Sequence, residues 1–240
     1  MSTQSTNTAP HITRGAAIVQ AVVVTATVIP AILAVAILAP RIGLASPAYP
    51  PLGIWFSILI ASLLLWFGKS GWRQIGLAKP SSLLMTILAG IGAALIGLIA
   101  YYFLAVSLES LGVQSLDLSS LKEIIQGNRL VYLQFMILVV WGSAAVGEEL
   151  FARGFLLNRL ERAFAGVRGA WLFAAIVQAL VFGSLHFYQG PVGVASSAMI
   201  GFLMAMLFLV TGRNLWAPIL AHGLIDSYAV TMIYLGDLQL

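Results

Sequence analysis

Seven long apolar runs dominate the chain, at about residues 15–39, 52–68, 81–107, 130–150, 170–188, 192–212 and 216–236. Hydrocarbon offers the backbone no hydrogen-bond partners, so an apolar run of about 20 residues crosses it as a helix. Seven such runs predict an all-α, polytopic transmembrane helical bundle. Composition agrees: 60% of the 240 residues are hydrophobic and 8% are charged, against about 25% charge in soluble domains. The reading is one membrane domain, 15–240, after a polar tail, 1–14. That tail lacks the basic patch and short apolar core of a cleaved signal peptide. Residues 115–127 set Leu118, Leu121, Ile124 and Ile125 against Lys122, Glu123 and Gln126. This predicts one amphipathic helix lying on the membrane surface.

Loop charges predict orientation. Lys69, Arg73 and Lys79 fall in loop 69–80, Arg159, Arg162 and Arg168 in loop 158–169, and Arg213 between the last two runs. These alternate loops share one side, which the positive-inside rule makes cytoplasmic; Arg14 places the N-terminus there too. Loop 108–129, with Glu109, Asp117, Lys122, Glu123 and Arg129 and no basic excess, falls outside; Arg41, also left outside, is the weak point of this topology. The net charge of +4 therefore reads as topology, and no nucleic-acid partner is expected. Without cysteine there is no disulfide, thiolate metal site or cysteine nucleophile. Pro30 is expected to kink the first run. Ala89, Ala93 and Gly97 are read as a close-packing stripe.

Against this background the polar residues inside apolar runs stand out, because an ionisable group in hydrocarbon costs a few kcal/mol or more. Glu148 and Glu149 are two of only eight acidic residues. Glu149 and Arg153 are four apart and share a helix face, so they can pair; Glu148 projects about 100° away and needs another partner. His186 follows Phe182 by four, and Asp226 follows His222 by four. Singly, each has a plain alternative: solvated charges at a helix end, a packed histidine, a polar clasp between helices. Jointly they supply one chemistry. A carboxylate beside a neutral imidazole can hold and deprotonate water, and a second imidazole can donate to an oxyanion.

Glu148-Glu149-x-x-x-Arg153, then Phe182-x-x-x-His186, then His222-x-x-x-Asp226, on separate apolar runs, resembles the CAAX protease and bacteriocin-processing family of intramembrane endopeptidases, which includes Ras-converting prenyl proteases. The resemblance covers about 130–235, and Gly71-Trp72-Arg73-Gln74-Ile75-Gly76-Leu77 is similar to the family less specifically. It implies a cavity opening into the membrane, with Glu148 and His186 activating water, His222 and Asp226 stabilising the oxyanion, and Glu149, Arg153 and Phe182 in support. The role expected of Asp226 is to accept a hydrogen bond from His222 and fix its tautomer; the alternative is a protonated Asp226 that donates directly. The implied substrate is a membrane-embedded or membrane-anchored peptide, and the implied location a bacterial cytoplasmic membrane. Metal dependence stays open: Glu148, His186 and His222 could hold zinc and leave one water position, or act without metal. Outside this class, a proton-coupled transporter and a catalytically silent scaffold are the competing readings.

One tension stands in this reading. Glu148 and His186 lie about equally far from the middle of loop 158–169, yet hydropathy puts them near opposite ends of their runs. Either the Glu148 helix continues within protein past residue 150, or the spans are displaced.

Overall fold

The computed structural model describes residues 12–43, 51–114 and 118–236. Most of the polar tail, and residues 115–117 of the expected surface helix, lie outside the described residues. Among those described, eight helices and no strands are found: α1 Arg14–Leu38, α2 Pro51–Phe67, α3 Leu83–Ser110, α4 Ser119–Ile125, α5 Arg129–Ala163, α6 Ala170–Leu185, α7 Gly190–Val210 and α8 Trp216–Leu235. Helix starts follow local chemistry. Thr13, Ser82 and Asn128 each accept a backbone N–H from three residues on, at 3.2, 3.3 and 3.2 Å, satisfying donors that the first turn leaves without partners.

Five helices are long and apolar enough to cross a membrane: Arg14–Ile42, Leu83–Ser110, Arg129–Ala163, Phe187–Val210 and Trp216–Leu235. The other two expected spans form shorter apolar helices, α2 with 17 residues and α6 with 16. At about 1.5 Å per residue they reach only about 25 Å, just under the hydrocarbon thickness. The outward face of the bundle is apolar: Leu95, Ile96, Ile99 and Phe103 of α3 are exposed. That is the surface expected where lipid, rather than water, is the solvent.

Three sequence expectations change. The 130–150 run does not stop at Glu148; α5 continues to Ala163, for 35 residues. The first half of loop 158–169 is therefore helix. Arg159 is buried, donates to Gln20 Oε1 at 2.8 Å and lies 4.7 Å over the Phe155 ring. Arg162 donates to the Ile12 carbonyl at 2.9 Å. These cations fasten α5 to the start of α1, so they carry less weight as free loop charges. Second, α4 is shorter than expected and does not simply lie on the surface. Ile125 is fully buried with Val140, Val230 and Ile233 of α5 and α8, while Lys122 and Glu123 face out. Third, the small-residue face of α3 is centred on Gly90, Ala94 and Gly97. A Cβ at Gly90 or Gly97 would stand 2.9 Å from Leu220 or 2.8 Å from Ile225. Ala89 and Ala93 flank this seam with α8.

The middle of α5 is wider than an α-helix. Phe135–Glu148 and Leu150–Leu156 make i→i+5 hydrogen bonds, a rare geometry that recurs at functional sites. The helix is central: α2 packs against it where a Cβ on Gly147 would be 3.2 Å from Ile54, and Trp72 and Leu215 where a Cβ on Gly154 would be 3.3 Å from each. The Gly71–Leu77 segment is docked there by Trp72 Nε1–H donating to Ser62 Oγ at 3.0 Å and Leu215 N–H donating to the Gly76 carbonyl at 2.9 Å.

Helices α6 and α7 form the tightest hairpin, because a Cβ on Gly183 would lie 2.6 Å from the Val194 carbonyl oxygen. Backbone cannot move aside as a side chain can, and overpacking costs about 1–3 kcal/mol. Gly183→Ala is expected to lower the thermal unfolding midpoint. Gly92→Ala, where a Cβ would meet nothing within 4 Å, is expected to leave it unchanged or raise it.

Candidate active site

Continuation of α5 past residue 150 removes the conflict in depth. Glu148 lies 15 residues before the end of α5 and His186 directly follows α6, 16 residues after its start. The two helices run back along each other from the 164–169 turn, so both residues arrive at the same level. The end of α6 then aims His186. Its backbone N–H donates to Gly183 at 3.0 Å, and its Nδ1 lies 2.8 Å from the Phe182 carbonyl. A carbonyl only accepts, so Nδ1–H is the donor. It satisfies one of the carbonyls that a helix end leaves open.

The site has two layers. The inner one is closed: Glu149 and Arg153 are fully buried and His222 nearly so. Glu149 Oε1 accepts from Arg153 Nη1 at 2.7 Å and from His222 Nδ1 at 2.8 Å. Arg153 Nη2 donates to the Gly201 carbonyl at 2.8 Å, and its guanidinium lies 4.7 Å over the Phe182 ring. One carboxylate oxygen thus joins α5 to α8, and one arginine joins α5 to α7 and α6. Glu149 Oε2 and Arg153 Nε are buried without a partner among the described residues.

The outer layer is open. Side-chain exposure is 24% for Glu148, 15% for His186 and 33% for Asp226. Glu148 Oε2 faces His186 Nε2 at 4.0 Å. Phe182 sits between the layers, its ring centroid 4.7 Å from that of His186 and 6.3 Å from that of His222. All seven residues singled out in the sequence therefore converge on one place.

One sequence expectation does not hold. Asp226 was to fix the His222 ring, but His222 Nε2 and Asp226 Oδ2 are 3.6 Å apart, beyond hydrogen-bond reach. Glu149 holds the ring instead, through Nδ1. Among the described residues no group of three or more His, Asp or Glu is placed to hold a metal ion; His222 gives Nδ1 to Glu149 and keeps Nε2 free.

Two other contributors were not singled out in the sequence. The Gly201 carbonyl is a backbone acceptor in an apolar helix. Trp141 packs on Gly223, where a Cβ would meet its ring at 2.6 Å; this close approach of α5 and α8 sets the level of the adjacent His222. The signal available was a Gly directly after a buried His.

Residues 130–228 match the family model described as type II CAAX prenyl endopeptidase Rce1-like. That segment is similar to this family. The matched segment contains Glu148, Glu149, Arg153, Phe182, His186, His222 and Asp226. No curated protein and no solved structure matches the chain. Together with the five helices of spanning length among the described residues, this similarity supports an integral membrane protein.

Removing one partner of a buried ion pair strands the other charge, at about 3–5 kcal/mol. Arg153→Ala is expected to show that loss in thermal unfolding or in yield of folded protein. The double variant Glu149→Leu/Arg153→Met, which removes both charges of the pair and leaves His222 Nδ1 without its acceptor, is expected to be the more stable of the two.

Proposed function

We propose that this protein is an intramembrane endopeptidase that hydrolyses a peptide bond of a membrane-embedded or membrane-anchored substrate, with Glu148 and His186 activating the attacking water. The observation that carries this reading is the pair of facing acceptors. With Nδ1–H given to Phe182, a neutral His186 presents the lone pair of Nε2. An ionised Glu148 is acceptor-only. Two acceptors 4.0 Å apart cannot bond to each other. A water that donates one proton to each satisfies both and turns its own lone pair outward, toward a bound carbonyl.

The step then balances within the chain. The water oxygen bonds to the carbonyl carbon as its proton passes to Glu148, and the C=O electron pair becomes an oxyanion. His222 in its imidazolium form donates Nδ1–H to Glu149 and has Nε2–H left for that oxyanion. When the C–N bond breaks, the proton held on Glu148 goes to the leaving amine. Glu149 and Arg153 act at one remove, by holding His222. The similarity of residues 130–228 to the Rce1-like family supports peptidase activity of this general type.

Reconstituted protein with a membrane-anchored peptide substrate tests the assignment. General acid–base groups contribute about 10²–10⁴-fold, so Glu148→Gln and His186→Ala are each expected to lower the cleavage rate by that factor, with unchanged unfolding midpoints. His222→Ala is expected to cost about 10²–10³-fold, as for an oxyanion donor. Because Glu149 already fixes the ring, Asp226→Asn is expected to stay within about tenfold of wild type. Near-normal cleavage by Glu148→Gln would overturn the proposal.

We also propose that the N-terminus is cytoplasmic, on the charges of loop 69–80, Arg168 and Arg213. Reporter fusions after Lys79 and after Arg168 should read cytoplasmic and one at Gly112 external. The same side for Lys79 and Gly112 would refute this.

A further inference from the structure

Well removed along α5 from Glu148, the bundle carries a second polar cavity of about 330 Å³. It lies between the 71–81 segment, the last turns of α5 and the turn joining α7 to α8. Its walls include Arg73, Lys79 and Arg213 and no acidic residue. All three cations are exposed, and among the described residues none is paired with a carboxylate. The rest of the lining that matters here is neutral and polar: Ser81, Asn158 and Thr211.

The cavity is built rather than incidental. Asn158 Nδ2 donates to the Ile75 carbonyl at 3.4 Å and Asn214 Nδ2 to the Ala78 carbonyl at 2.8 Å. With the Leu215–Gly76 backbone bond at 2.9 Å, these join the walls to one another. Arg213 is positioned as well, its guanidinium 5.4 Å over the Trp171 ring. Three like charges brought to one cavity repel each other unless an anion joins them.

Its position indicates where that anion comes from. The cavity lies between the segment that follows α2, the start of α3 and the turn where α7 ends and α8 begins. At these helix ends Trp66, Phe67 and Trp216 are exposed. Tryptophan gathers at the membrane–water boundary, so this is headgroup depth. Exposed Leu83, Leu84 and Met85 supply apolar surface beside the opening, where acyl chains would lie. Basic pockets between membrane helices take anionic headgroups.

We infer that the Arg73–Lys79–Arg213 cavity binds the phosphate of an anionic phospholipid, with the headgroup inside and the acyl chains against the start of α3. This inference is independent of the peptidase reading.

The test uses the full-length protein in neutral detergent, with thermal unfolding as the readout. Added phosphatidylglycerol is expected to raise the midpoint by roughly 5 °C, phosphatidylcholine much less, and raised salt is expected to shrink the difference. Inorganic phosphate at equal concentration should give less than half of the shift. R73Q/K79Q/R213Q is expected to lose the selectivity for phosphatidylglycerol, while K122Q/R129Q, which removes two cations elsewhere, keeps it. Arg213 also packs on Trp171, so R73Q/K79Q, confined to exposed side chains, serves if the triple variant does not purify; it is expected to lose most of the selectivity. Equal shifts from the two lipids, selectivity that survives R73Q/K79Q, or a full shift from inorganic phosphate would each overturn the inference.

Discussion

Everything near the site depends on how one buried carboxylate oxygen is shared. Glu149 Oε1 takes Arg153 at 2.7 Å and His222 at 2.8 Å. Burying these groups is expensive: the effective penalty is several kcal/mol per ion, repaid only by good geometry and further hydrogen bonds. The repayment is spread over the bundle, through the Gly201 carbonyl on α7 and the face of Phe182 on α6. A hydrophobic replacement of similar volume often does as well for stability. What it cannot do is hold the His222 imidazole by one nitrogen and leave the other turned toward the open layer. The ion pair is better understood as a mount for that ring than as a stabilising bond.

The mount requires a helix that stays inside protein for its whole length. Arg153, Phe151, Phe155 and Leu157 are all essentially buried, so α5 past Glu148 is a core helix and not an interfacial one. Its i→i+5 geometry through Phe135–Glu148 and Leu150–Leu156 widens the cylinder where α2, Trp72 and Leu215 crowd it. Gly147 and Gly154 supply the missing side chains at those contacts.

What the sequence made legible follows from what spacing encodes. An i, i+4 pattern states that two side chains share a helix face, so the Glu149–Arg153 pair and the Phe182–His186 turn were readable. Hydropathy likewise located all seven apolar helices. It failed at the end of the 130–150 run, because a window that counts charge cannot tell Arg153, Arg159 and Glu149 buried among partners from charges in water. That error also assigned Arg159 and Arg162 to a loop. The bond from Glu149 to His222 spans 73 residues, and nothing local records it. Given a neighbouring Asp226 at i+4, sequence reasoning took the local acceptor for the real one. Helical spacing permits that contact, but the 3.6 Å separation shows the distant acceptor winning, since one ring nitrogen is already satisfied inside the core.

The two adjacent glutamates show why neighbouring identical residues need not share a role. Glu148 and Glu149 differ by one step around α5, and that step turns one side chain into the core and the other to the open layer. Glu149 meets two fixed donors, so its charge is spoken for before any substrate arrives. Glu148 meets only an acceptor, His186 Nε2, at a distance too long for a direct bond and short enough for one water between them. An unmet, partly exposed acceptor pair invites a donor, whereas a satisfied carboxylate in the core invites none. The chemistry is therefore decided less by which residues are present than by which of them the packing has already satisfied.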